Sequence, residues 1–261
     1  MSEFEPYDAI ILEKGEFISG GVSGIVERLP NGNVVKSPWP DRKDTHEDAR
    51  VESRVYKRLA ERLDPGHIPF VKFLGFDEEE CTITMEYMAN GTLRTYLQAN
   101  AAQITQHQRC LWIRAIAEGV KLLHAVNVIH CDLTPHNLLL DADLEVKIAD
   151  FGCSSIDGSR SMAGTNSRFY PSRSFLRAPV TRDDDLFALG SCIYEVLTGV
   201  APLHDVPSPA ARHLVRLRQL PDLTGLEYAD IVRDCWLRRA GSAGSVPVSY
   251  THLTLPTIYS V

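Results

Sequence analysis

Long hydrophobic runs are missing. No stretch approaches the roughly 18 consecutive apolar residues of a membrane-spanning helix, and Met1-Ser2-Glu3-Phe4-Glu5-Pro6 has neither the basic start nor the apolar run of a secretory signal. These absences predict an intracellular, cytoplasmic chain. An excess of positive charge is missing too. With 27 Lys plus Arg against 34 Asp plus Glu, the formal net charge is −7. That gives no electrostatic basis for wrapping nucleic acid or lying on an anionic membrane, so partners are recognised locally. Cysteine is sparse and scattered: Cys81, Cys110, Cys131, Cys153, Cys192 and Cys235 form no C-x-x-C pair. Neither a zinc site nor a disulfide-stapled scaffold is indicated, and the six read as reduced thiols. What is present is an ordinary globular composition of 261 residues, 44% hydrophobic and 23% charged, enough to bury one core or two packed lobes.

Strand signals dominate the first third. Residues 18–29 and 34–36 flank Pro30-Asn31-Gly32-Asn33, and Asn-Gly between apolar runs predicts a β-hairpin because both central residues tolerate positive φ. A charged stretch over 45–62 carries Val51, Val55, Leu59 and Leu63 at four-residue spacing, which predicts a helix packing by one face. Two further strands are read over 68–76 and 81–88, joined by the solvated acidic turn Asp77-Glu78-Glu79-Glu80. From Gly91 the period lengthens, and Ile113, Ile116, Val120 and Leu123 put an apolar face on a helix over 106–126. Short strand-like runs follow at 138–140 and 146–149, and 154–174 is too rich in Gly, Ser and Arg for a core element. Strands first and helices after predict an α+β protein with two lobes.

The sharpest local pattern is His130-Cys131-Asp132-Leu133-Thr134-Pro135-His136-Asn137, followed by Asp150-Phe151-Gly152. In this order, after a long helix, the two resemble the catalytic loop H-R-D-L-x-x-x-N and the metal-binding D-F-G turn of eukaryotic protein kinases. The resemblance spans residues 10–240. It implies a bilobal protein-kinase-like fold, with a small antiparallel β-sheet N-lobe over about 10–87 and a mainly helical C-lobe over about 91–240. Ile18-Ser19-Gly20-Gly21-Val22-Ser23-Gly24-Ile25-Val26 resembles the glycine-rich G-x-G-x-x-G-x-V loop, with Gly21 and Gly24 at the second and third glycines, Ser19 at the first and Val26 at the valine. Small residues there let backbone N–H groups approach the ATP phosphates. Lys36 takes the place of the V-A-I-K lysine, and Glu52 starts a Glu-x-x-x-Tyr-x-x-Leu stretch similar to the partner helix. The implied ion bridge steadies the lysine that meets the α and β phosphates. Residues 82–88 resemble the last N-lobe strand and interlobe hinge, placing Met85 at the gatekeeper and Glu86 to Met88 against the adenine. Asp132 is then the carboxylate that accepts or orients the substrate hydroxyl proton, and Asn137 and Asp150 are oxygen ligands for Mg²⁺.

Several positions depart from the family pattern. Cys131 replaces the arginine that in many kinases pairs with a phosphorylated activation loop, and Thr134 stands where Ser/Thr-type kinases usually carry a lysine to the γ-phosphate. Gly164-Thr165 resembles the usual G-T, but Tyr170-Pro171-Ser172 takes the place of A-P-E, which predicts that the salt bridge of that glutamate is missing. Ser154, Ser155, Ser159, Ser161, Thr165 and Tyr170 are loop hydroxyls open to phosphorylation, and Cys153 defaults to a buried, inert thiol. The implied function is transfer of the γ-phosphate of Mg-ATP to hydroxyls of a protein substrate. Ser/Thr comes ahead of Tyr because Pro135 follows Thr134. A pseudokinase scaffold is one alternative, motivated by the departures. The other is a small-molecule kinase of the aminoglycoside-phosphotransferase type, whose loop has the form H-x-D-x-x-x-x-N. The complete set of Lys36, Glu52, Asp132, Asn137 and Asp150 argues against the first, and Asp150-Phe151-Gly152 with the later Gly164-Thr165 against the second.

Residues 185–190 resemble the start of the family's central C-lobe helix, and residues 194–199 and 231–236 resemble later C-lobe helices, after which the resemblance stops. Residues 247–261 have no helical period. Residues 248–257 can be encoded by GTC TCT TAT ACA CAT CTG ACG CTG CCG ACG, which resembles a transposase-based sequencing-library adapter read as protein. This predicts a non-native tail and a missing last C-lobe helix, with apolar surface left open.

Overall fold

The structure, a computed structural model, describes residues 14–64, 69–159, 168–170 and 179–237. Its first part is an antiparallel sheet of β1 (Glu16–Gly21), β2 (Gly24–Arg28), β3 (Val34–Ser37), β4 (Phe73–Asp77) and β5 (Thr82–Met85), in the order β1-β2-β3-β5-β4. The run 18–29, expected as one side of a hairpin, is two strands. The chain reverses at Val22-Ser23, and Gly24 sits at φ 144 with a hypothetical Cβ 2.2 Å from the Ser37 carbonyl oxygen, a place only glycine fills. The Asn-Gly turn is present between β2 and β3, but among its central residues only Gly32, at φ 86, is left-handed. Leu29 N–H donates to Asn33 O and Gly32 N–H to Leu29 O, so one positive φ is enough to close it. The later strands are shorter than expected, starting at Phe73 rather than 68 and ending at Met85 rather than 88.

Helix α1 (Lys43–Arg62) departs from its apolar stripe. Val55 and Leu59 are buried, while Val51 and Leu63 are only half-buried, because the packed face is shared with Thr45, Ala49, Glu52, Ser53 and Tyr56. A carboxylate therefore sits in the middle of the helix's inner face.

The second part is helical: α2 (Leu93–Asn100), α3 (Gln106–Ala125), α4 (Arg182–Thr198), α5 (Ser208–Arg216) and α6 (Ala229–Leu237). Thr92 and Thr105 cap α2 and α3 by accepting from the N–H groups of Thr95 and Gln108, and α4 opens on a capping box of Thr181 and Asp184 and ends at Gly199, φ 80. The predicted face of α3 is buried at Ile113, Ile116, Val120 and Leu123. Two short ladders lie within this second part: β6 (Val128–Ile129) with β9 (Ser155–Ile156), and β7 (Leu138–Leu140) with β8 (Val146–Ile148). The first was not foreseen, being too short to show alternation. The α+β, two-lobed expectation holds. The polar run 154–174 does contribute to the core, since Ser154, Ser155, Phe169 and Tyr170 are all buried. Gly164, Thr165, Ser161, Ser172 and the tail 247–261 lie outside the described residues. Among those described, no helix is long and apolar enough to cross a membrane.

Candidate active site

The segment between β6 and β7 is held by a buried carboxylate in the first turn of α4. Asp185 accepts from the backbone N–H groups of His130 at 2.7 Å and Cys131 at 3.0 Å, and its Oδ2 lies 3.0 Å from His124 Nε2. Burial alone would raise the Asp185 carboxyl. The bond to His124 and the backbone donors outweigh it and hold the group below the usual carboxylate range. This anchor fixes a left-handed Cys131, φ 67, where backbone sterics disfavour a side chain. His130 extends it: Nδ1 accepts from Asp132 N–H at 3.2 Å and Nε2 faces Ala149 O at 3.1 Å. Those partners define the neutral tautomer with its proton on Nε2, and burial keeps the imidazole pKa low. One ring thus ties Asp132 to the strand end preceding Asp150. From the other side, Leu133 N–H donates to the Tyr170 hydroxyl oxygen at 3.0 Å.

Above this platform the sheet supplies a cation. Lys36, in β3, places Nζ 2.7 Å from Glu52 Oε2 and 2.6 Å from Asp150 Oδ1. Burial would lower the Lys36 pKa, but the charges of Asp150 and Glu52 more than reverse that and keep the ammonium protonated. Asp150 is left-handed at φ 62, a conformation that the bond to Lys36 over-determines. Asn137 Nδ2 donates to Asp132 O at 2.7 Å and Asp132 Oδ2 at 3.1 Å, which leaves the Asn137 amide oxygen as an acceptor. Burial, then the Asp150 charge, pushes the Asp132 carboxyl up to about 7. Burial likewise raises Asp48 on α1 to about 6, with Asp44 and Asp150 adding to it.

Lys36 pairs directly with Glu52 and Asp150 alone, while Asp48, which also feels Arg42, and Asp132 lie in the same neighbourhood, so acidic groups outnumber cations there. That deficit of positive charge, together with the oxygen donors of Asn137 and Asp150, fits a hard divalent cation. Among the described residues no group of three His, Cys, Asp or Glu side chains could hold a metal alone, so further ligands would come from bound phosphates and water.

The groups meet at an interlobe cleft of about 500 Å³. Ser19, Gly21, Gly24, Val26, Lys36, Glu52, Met85, Glu86, Met88, Asn137 and Asp150 all line it; Asp132 is not on its wall but is joined to it by Asn137. Sequence reasoning missed the apolar part of the wall: Ile18, Val34, Val71, Leu139 and Ala149. Their only signal was membership of apolar strands. It also missed the pair in which Arg94 Nε and Nη2 donate to the two Glu195 oxygens, both at 2.6 Å, with the guanidinium 5.3 Å from the Phe169 ring.

The departures are mostly buried. Cys131 is fully enclosed, with Sγ donating to Ile129 O at 3.3 Å, and Thr134 is 4% exposed. Neither position presents a side chain to the cleft. Ser154, Ser155 and Tyr170 are buried, which removes them as accessible phosphorylation sites, whereas Ser159 is exposed. Cys153 is half-buried, and burial with the charges of Asp132 and Asp150 pushes its thiol well up, which favours the protonated form.

Residues 35–242 match the family model of protein tyrosine and serine/threonine kinases. The chain is 29% identical over 186 residues to the serine/threonine/tyrosine-protein kinase HT1 of Arabidopsis thaliana, covering 68% of this chain and 47% of that protein. It is 25% identical over 240 residues to an Aurora kinase of Yarrowia lipolytica, covering 88% of this chain and 64% of that one. A third relative is the tyrosine-protein kinase transmembrane receptor Ror of Drosophila melanogaster, 29% identical over 208 residues, 73% of this chain and 30% of the relative. The chain thus spans less than two thirds of the length of each.

Proposed function

Because the chain belongs to the protein tyrosine and serine/threonine kinase family, we propose that it transfers the γ-phosphate of Mg-ATP to hydroxyls of protein substrates, Ser/Thr ahead of Tyr. The observation that carries this reading is Lys36 Nζ, 2.7 Å from Glu52 and 2.6 Å from Asp150, beside the joined pair Asp132–Asn137. Lys36 neutralises non-transferred phosphate, and Glu52 keeps its flexible stem from straying. A Mg²⁺ held by Asn137 and Asp150 would supply charge neutralisation on the phosphates. Asp132 orients the acceptor hydroxyl and takes its proton as the new O–P bond forms and the bond to the leaving ADP oxygen breaks. A carboxyl near 7 is a competent base at neutral pH. Lys36, Glu52 and the flanking Ser19, Gly21, Gly24, Val26, Met85, Glu86 and Met88 form the nucleotide's walls.

The Ser/Thr preference rests on Pro135 after Thr134; the names of the relatives carry both specificities. The small-molecule kinase alternative loses ground to the family match. We assign the kinase domain to residues 10–240, with lobes over 10–87 and 91–240, in the cytoplasm. Residues 247–261 we assign to adapter-derived sequence, which amplification of the transcript with gene-specific primers checks. The activity itself is tested by transfer of labelled γ-phosphate from Mg-ATP to Ser/Thr and Tyr acceptors beside Asp132→Asn. Transfer to Ser/Thr that vanishes in the variant is expected. Equal background from both folded proteins would replace the enzyme with a pseudokinase scaffold.

A further inference from the structure

The turn at Val22-Ser23 roofs the cleft, yet little packs on it. Every residue of β1 is exposed, Phe17 by 66%, and Val22 beyond it by 78%. Beyond the β1–β2 ladder that closes the turn at Gly21 and Gly24, what ties this roof to the rest of the lobe comes from the connection between β3 and α1. The Trp39 indole Nε1 donates to the Gly21 carbonyl oxygen at 2.9 Å, and Arg42 Nη1 donates to the Val22 carbonyl oxygen at 3.2 Å. The rings of Phe17 and Trp39 both approach Gly20, where an added Cβ would lie 3.7 Å from the first and 3.8 Å from the second. The same connection starts α1. Arg42 is the residue before the helix, its Nε and Nη2 also bind the Asp44 carboxylate, and the buried Thr45 hydroxyl donates to Arg42 O at 2.8 Å while accepting from Trp39 N–H at 3.1 Å. A continuous chain of hydrogen bonds runs from the turn to the first turn of the helix that carries Glu52.

We propose that Trp39 and Arg42 are positioning residues that clamp the glycine-rich turn to the N-terminal end of α1, so that the roof over the phosphates and the helix bearing Glu52 move as one body. The role in nucleotide seating rests on the function proposed above; the clamp itself does not. A roof ordered in advance spares the nucleotide the entropy of ordering it, so loosening the clamp weakens binding more than it slows transfer. The indole matters as a donor as well as a ring, which Trp39→Phe and Trp39→Ala separate.

The test uses the full chain and has two readouts. The first is amide hydrogen exchange without nucleotide. Trp39→Phe is expected to speed exchange about five-fold, the worth of one hydrogen bond, both in residues 20–23 and in residues 43–48. Acceleration confined to 20–23 overturns the coupling. No acceleration in Trp39→Phe, with loosening only in Trp39→Ala, reduces the ring to packing and overturns the clamp. The second is steady-state kinetics, where the KM for ATP is expected to rise about five-fold in Trp39→Phe, and less in the exposed Arg42→Ala, with kcat changed by less than about twofold. An unchanged KM in both variants overturns the seating role. A wild-type protein that binds no nucleotide sinks the kinase reading instead, and hydrogen exchange still decides the clamp.

Discussion

Helix α4 buries Asp184 through Ile193 without a break, whereas β1 leaves all six of its residues exposed. Each lobe holds its share of the site in keeping with that contrast. The helical lobe positions Asp132 and Asn137 through backbone bonds to the buried Asp185, through His130 and through the core residue Tyr170. The sheet lobe contributes Lys36 through one side-chain triad, and a roof made by the β1–β2 ladder and tied to α1 by two side-chain hydrogen bonds from Trp39 and Arg42. A group set by backbone inside a packed core is expensive to move, while one set by a long side chain can be assembled and released. Damage to the helical lobe should therefore reach stability and activity together. Damage to the sheet lobe should reach activity alone.

The largest effect belongs to the residue that both lobes share. Asp150→Asn removes the charge facing Lys36 and should lower single-turnover transfer by about three orders of magnitude while the thermal midpoint stays close to wild type. The next pair tests the contrast directly. Asp185→Ala leaves three donors in the core without an acceptor and should cost roughly 3–5 kcal/mol in urea unfolding. Glu52→Gln should lower kcat/KM more than tenfold, yet cost less than about 1.5 kcal/mol, because Lys36 retains Asp150. Equal destabilisation by the two would break the comparison.

A pH series sharpens it further. The Asp132 carboxyl is raised by burial and by Asp150 to about 7 in the folded protein, above its unfolded value of 3.8. Its favourable contribution is thus fully present below the unfolded value and is lost as pH rises towards 7. Asp132→Asn, which stays neutral, should gain about 1–3 kcal/mol over wild type at pH 8 and less at pH 5. The kcat/KM profile of the wild type should climb with a midpoint near pH 7, and a flat profile between about pH 5.5 and 8 would exclude Asp132 as the titrating base. The smallest effects are at the surface. Thr105→Ala, which removes the cap of α3, should cost about 1 kcal/mol, against less than about 0.5 kcal/mol for Val22→Ser on the exposed turn.

How far the sequence carried depended on the distance over which each feature is built. Asp132, Asn137 and Asp150 lie within one short stretch whose order of residues is itself the signal, and the strands of the first lobe were visible in their apolar runs and the Asn-Gly turn. Glu52 shows the limit of periodicity: a helix face that delivers a carboxylate to a cleft does not follow an apolar stripe, so Val51 was assigned to a face it only partly joins. Phe169 and Tyr170 were hidden because composition averages over a polar window, while burial is decided residue by residue.

By itself, the sequence determined the two-lobed α+β plan, the helical face of α3 and which side chains are proposed to bind and transfer phosphate, because those depend on local period and on residue type. Only the tertiary structure decided that Asp185 anchors His130 and Cys131, that Arg94 meets Glu195, that Trp39 and Arg42 reach the turn, and that Asp132 is raised to about 7. These are contacts between groups 18 to 101 positions apart and a pKa set by burial. Both depend on which surfaces the folded chain brings together and removes from water, and neither is carried by spacing along the chain.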